Sequence, residues 1–94
     1  MRLYDDEKRA LENAIHDVDG EVYLFGSRVD DTKKGGDIDI LIYSKENSLK
    51  LSQTVSMRFF MELDSKLDVV VFDKDNISKE QQAFVDTLDL VRLK

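Results

Sequence analysis

The chain has no cysteine, no proline and no tryptophan, and only four glycines among its 94 residues. Without cysteine there is no disulfide framework and no thiolate zinc site. No run of apolar residues approaches the length of a membrane span, and Met1 to Glu7 carries no apolar signal segment. With the missing cysteine, this leads us to expect a soluble, cytoplasmic protein. Basic charge is also short, with 14 Lys and Arg against 20 Asp and Glu for a net charge of −6. An acidic surface argues against gripping nucleic acid through its phosphates. It leaves open a nucleotide held through metal ions, which invert the local sign of charge. The single histidine, His16, falls at the edge of an apolar stripe, where a surface or half-buried role is expected.

The length suits one domain, residues 1–94, burying roughly 60–65% of its extended surface. The apolar content of 41% is that of a globular protein. Three of the four glycines (Gly26, Gly35, Gly36) crowd into one stretch. There, Leu24-Phe25-Gly26-Ser27-Arg28 is followed by a polar loop and then by Gly35-Gly36-Asp37-Ile38-Asp39-Ile40-Leu41-Ile42. Two short apolar runs flank the loop. Read as antiparallel strands, they bring the Gly26-Ser27 turn beside Asp37 and Asp39. Strand alternation sends Asp37 and Asp39 to one face and Ile38 and Ile40 to the other.

The remaining pattern gives helices and strands in alternation. Leu11, Ala14, Ile15 and Val18 repeat at helical spacing, which predicts a helix from Asp5 to Val18, capped by Asp5 or Asp6 and ended at Asp19-Gly20. Glu21 to Phe25 and residues 37–43 read as strands, the second apolar on both faces past its polar start and hence central. Ser44 to Asp64 reads as the longest helix, with Asn47 or Ser48 as cap. Leu51, Val55, Phe59 and Leu63 form its stripe, widened by Met57 and Phe60. Lys66 to Phe72 is a continuous β-branched run, expected to be a buried third strand. Ser78 and Gln81 have capping-box spacing and open a last helix with Phe84, Val85, Leu88 and Val91 facing inward. The tyrosines and phenylalanines sit at core or core-edge spacing. The expected architecture is α/β, a small mixed three-stranded sheet packed with helices.

The second strand, long helix and third strand form a βαβ crossover, so the two strands run parallel and start at the same sheet end. Asp68, near the start of the third strand, then joins Asp37, Asp39 and the Gly26-Ser27 turn. Three carboxylates there repel one another by on the order of 10 kcal/mol in total unless protonated or bridged by a cation. Oxygen donors suit Mg²⁺ or Mn²⁺. Two ions about 3.5–4 Å apart could clamp the attacking and leaving oxygens of a phosphoryl displacement. In that reading Asp37, Asp39 and Asp68 are the catalytic and metal-binding residues, with Asp68 able to take the proton of an attacking hydroxyl. Gly26 and Ser27 cradle a phosphate, and Arg28, Lys33 and Lys34 are cationic candidates for the rest of a triphosphate.

Gly26-Ser27, Asp37-Ile38-Asp39 and the Leu67-Asp68-Val69-Val70 run resemble the nucleotidyltransferase superfamily of DNA polymerase beta, in its minimal stand-alone form. The resemblance spans the chain from the first helix through the third strand. It implies the nucleotidyltransferase fold, Mg²⁺, and transfer of a nucleoside monophosphate, typically AMP from ATP, to a hydroxyl. Members of this kind are similar to the antitoxin half (MNT-type) of toxin–antitoxin pairs whose partner is a small helical HEPN-type ribonuclease. The acceptor surface is then expected to be shared with that partner. One departure stands out. Where the family often carries Arg-Gly after the Gly-Ser turn, this chain reads Val29-Asp30-Asp31-Thr32. The alternative is a catalytically degenerate fold that neutralises a partner by contact.

Overall fold

The computed structural model describes residues 1–94. Its elements are α1 (Asp5–Ile15), β1 (Glu21–Phe25), a 3₁₀ turn (Gly26–Val29), β2 (Ile38–Tyr43), α2 (Ser48–Leu63), β3 (Leu67–Phe72), a second 3₁₀ turn (Lys74–Asn76), α3 (Lys79–Asp86) and β4 (Val91–Arg92). The strands form one mixed sheet of order β3-β2-β1-β4. β1 runs antiparallel to β2 and to β4, whereas β2 and β3 are parallel. The βαβ crossover and the hairpin therefore fall where the sequence places them.

Each face of the sheet is covered by helices. The larger core joins Ala10, Leu11, Ala14 and Ile15 of α1 and Val55 and Phe59 of α2 to Val22, Leu24, Ile38, Ile40 and Ile42. On the opposite face Phe25 and Leu41 meet Val85 of α3. Alternation along β2 explains the division, since even-numbered isoleucines face the larger core and Leu41 the smaller. Burying both faces of β2 fixes its register, because a slip of one residue would drive Asp39 into the larger core.

Four expectations are corrected. First, the sheet has a fourth strand, not three. Val91, expected on the last helix, instead pairs with Leu24 in β4. α3 stops at Asp86, where the Thr87 hydroxyl turns back to donate to the Phe84 carbonyl at 2.6 Å. The apolar spacing of Leu88 and Val91 suited either element, and pairing with the free edge of β1 decides for the strand.

Second, β3 lies at the sheet edge, so only Leu67 is buried and Asp68 to Phe72 are half-buried. Third, Met57 and Phe60 do not widen the buried stripe of α2 but are 59% and 48% exposed. A helix lying on an edge strand has less sheet beneath it to cover that flank. Fourth, α1 and α2 are shorter than their patterns. α1 ends at Ile15, with Val18 buried beyond it, and its start is satisfied by Glu7, whose carboxylate accepts from the Tyr4 N–H at 3.0 Å. α2 begins at Ser48, with Asn47 accepting from the Lys50 N–H at 2.9 Å. His16 is exposed, its Nδ1 2.8 Å from the Asn13 carbonyl oxygen, and Tyr23 and Tyr43 are half-buried and meet edge to face.

Candidate active site

One end of the sheet gathers the chemistry-bearing residues. Asp39 pairs with Phe25 across the hairpin and with Asp68 across the parallel ladder. The β1 strand turns at Gly26 immediately beyond Phe25. Gly26 has φ of 78°, and a Cβ at that position would overlap the Asp39 carboxylate. Only glycine combines that backbone angle with so close an approach. A second contact mirrors it, since Gly36 (φ 87°) lies where a Cβ would overlap the Ser27 hydroxyl. The two glycines thus let the loop fold flat against the strand ends, with Ser27 beside the residue that precedes Asp37.

Asp39 and Asp68 are half-buried, whereas Asp37 is exposed. Burial pushes the Asp39 carboxyl above its ordinary value, and the negative charges of the neighbouring Asp68 and Asp37 push it further the same way. Lys66 partly offsets this surplus of negative charge, its Nζ standing 3.3 Å from an Asp68 oxygen. The structure therefore brings Asp39 and Asp68 together. Asp37 stands one residue ahead of β2, contrary to its expected place in the strand. No three acidic or histidine side chains are gathered tightly enough to hold a metal ion as they stand. The donor chemistry nonetheless fits a hard divalent cation. Its carboxylates offer oxygen donors, and burial together with the Asp68 charge already disfavours the ionised form of Asp39, which a cation would restore.

The expected phosphate ligands separate into two groups. Lys33 and Lys34 lie exposed on the loop and free of ion pairs. Arg28 does not: it is 7% exposed and pairs with Glu7 through two hydrogen bonds of 2.7 and 2.8 Å. Its Nε donates to the Gly36 carbonyl at 3.0 Å. This corrects the reading of Arg28 as a triphosphate ligand. On the 3₁₀ turn Gly26–Val29 the Arg28 side chain points back under the loop toward α1, which the sequence does not disclose.

Three further residues stand at this edge, and the sequence marks them unequally. Lys66 precedes Asp68 by two positions, the spacing of strand neighbours on one face, so that signal was present. Glu7 looked like a residue of the α1 first turn and gave no sign of a partner twenty-one positions away. Arg2 lies ahead of the first periodic element, and nothing local marks it.

A mixed sheet with an antiparallel hairpin, a parallel crossover, a glycine-serine turn and acidic strand starts at one end defines an α/β domain of the nucleotidyl-transferring kind. The family comparison agrees: a family model described as a nucleotidyltransferase domain matches residues 7–90, and the chain belongs to that family. Comparison with curated proteins returns no match. At this level the protein is a transferase with the nucleotidyltransferase fold. Domains of this family generally use nucleoside triphosphates and divalent metal ions.

Proposed function

We propose that the protein transfers a nucleoside monophosphate, AMP from ATP, to a hydroxyl of a partner protein, and that it serves as the antitoxin of a small helical HEPN-type ribonuclease. The observation that carries the reaction is the pairing of Asp39 with Asp68 next to the Gly26-Ser27 turn, in a chain of this family. Asp37, Asp39 and Asp68 would hold Mg²⁺, with Mn²⁺ able to replace it. When bound, the ions would neutralise the triphosphate and the charge that develops on the reacting oxygens. The Ser27 hydroxyl donates to a phosphate oxygen that Gly26 allows close to the backbone. Lys33 and Lys34 add charge at the triphosphate tail. The acceptor oxygen forms a bond to the α-phosphorus, the bond from that phosphorus to the bridging oxygen breaks, and pyrophosphate departs. Asp68 takes the acceptor's proton.

Incubation with α-labelled ATP, Mg²⁺ and the HEPN-type partner tests this. Label on the wild-type partner, absent with Asp39→Asn, is the expected result; an unlabelled partner under all conditions overturns it.

A second reading has its own support. Arg28 is committed to Glu7, and Asp30 and Asp31 add negative charge to the loop. A degenerate site that neutralises its partner by contact would need no free arginine there. The double variant Asp37→Ala, Asp39→Ala separates the two, ending neutralisation under the first reading and sparing it under the second.

A further inference from the structure

The loop from Ser27 to Gly36 connects two parts of the candidate site, yet its own sequence offers little to hold it. It contains no apolar anchor beyond Val29 and ends in two glycines, both at positive φ. A free loop of this composition would cost considerable entropy to hold still. Those of its carbonyl groups that turn inward, away from water, need protein partners.

Two guanidinium groups supply them. Arg2 donates from Nε to the Asp30 carbonyl and from Nη2 to the carbonyls of Ser27 and Gly35, each at 3.0 Å. Its backbone N–H donates to the Arg28 carbonyl at 2.7 Å. Arg28 donates to the carbonyls of Gly36 and Arg2 and, in a bidentate pair, to Glu7 of α1. The fixed fork of a guanidinium makes such multi-point bonding directional. Both limbs of the loop, Ser27 to Asp30 on one side and Gly35 to Gly36 on the other, are thus tied to each other and to α1. No other side chain bonds to both limbs.

We infer that Arg2 and Arg28 are positioning residues of the candidate site, which hold the loop closed and so set where Ser27 and Asp37 stand relative to Asp39 and Asp68. This rests on the reading of that edge as a nucleotidyl-transfer site. Neither arginine touches the reacting atoms. Arg2 makes the sharper case, because Arg28 also carries the buried pair with Glu7, while Arg2 bonds the loop backbone alone.

The test compares the wild type with Arg2→Ala and Arg2→Lys by amide hydrogen exchange and by Mn²⁺ titration without nucleotide. In Arg2→Ala the loop amides that donate hydrogen bonds, those of Asp30, Thr32 and Lys33, should exchange at least about tenfold faster, while Val22, Leu24, Ile40 and Ile42 keep their protection. Mn²⁺ affinity should fall by about 10–100-fold, as it does when a group orienting a ligand is removed. Arg2→Lys, keeping the charge but not the fork, should fall between. Unchanged loop exchange overturns the inference, and so does loss of protection in loop and sheet together, which would mark a general stabilising role. Unchanged Mn²⁺ affinity with a loosened loop overturns it too. If the wild type binds no Mn²⁺ and labels no partner, the transfer reading fails, and the exchange data still decide whether Arg2 holds the loop.

Discussion

Asp39 and Asp68 are partners across the parallel β2–β3 ladder, and each lies within the other's electrostatic reach at the open end of the sheet. Two carboxylates about 5 Å apart repel by roughly 3 kcal/mol at an effective dielectric near 20, and here Lys66 beside Asp68, with solvent and salt, offsets part of that repulsion. A fold keeps such a pair at a cost to its own stability. Substituting one carboxylate should therefore stabilise the metal-free protein. Asp39→Asn is expected to raise the melting midpoint by about 4–8 °C, the equivalent of about 1 kcal/mol in a domain of this size, while abolishing transfer. Thermal denaturation with excess chelator, alongside the labelling assay, measures both.

Gly26 leaves no room for a side chain. Gly26→Ala places a methyl group against the Asp39 carboxylate and strains a backbone at φ 78°. The expected cost is about 1–3 kcal/mol in chemical denaturation. Transfer should be lost even at temperatures where the variant stays folded, because Asp39 must swing aside.

The Glu7–Arg28 pair gives a pH dependence with a definite sign. The Arg28 guanidinium, bonded to Glu7, holds the Glu7 carboxyl below the ordinary glutamate range. A carboxyl depressed in the folded state contributes stability that is complete above its unfolded value, about 4.3, and is lost as pH falls through the lower folded value. The wild type should thus lose stability below about pH 4.3 more steeply than Glu7→Gln does. At pH 7, Glu7→Gln should be destabilised by about 3 kcal/mol, since it leaves the Arg28 charge buried without its partner. Urea unfolding from pH 3 to 7 resolves the two curves.

Lys33 and Lys34 are exposed and make no ion pair, and under the proposed reaction they bind the triphosphate. Replacing both with alanine should raise KM for ATP about tenfold with little change in kcat, the pattern of lost uniform binding. Stability should be unaffected.

Strand alternation and helical spacing carried most of the fold, because β2 is apolar on both faces and its neighbours follow from hairpin and crossover geometry. The short strand β4 was not legible. Leu88 and Val91 fit a helical stripe, and only the unpaired edge of β1, a tertiary circumstance, draws Val91 into the sheet. Edge position is likewise invisible in Lys66 to Phe72, whose composition matches a buried strand. At the candidate site, Gly26, Ser27, Asp39 and Asp68 could be placed from topology. Arg28 could not, since the direction of a side chain leaving a 3₁₀ turn depends on what waits beneath, here Glu7 from another element. Arg2 had no local signal at all, because its partners are backbone carbonyls that every sequence possesses.

Mn²⁺ binding followed by electron paramagnetic resonance, in the presence of a non-hydrolysable ATP analogue, puts the acidic sheet end to its most direct trial. The wild type should sequester the ion, and Asp39→Asn and Asp68→Asn should each lose most of that binding while remaining folded. A wild type that leaves Mn²⁺ free, or variants that bind it as well as the wild type does, would show that these carboxylates do not form a catalytic metal centre.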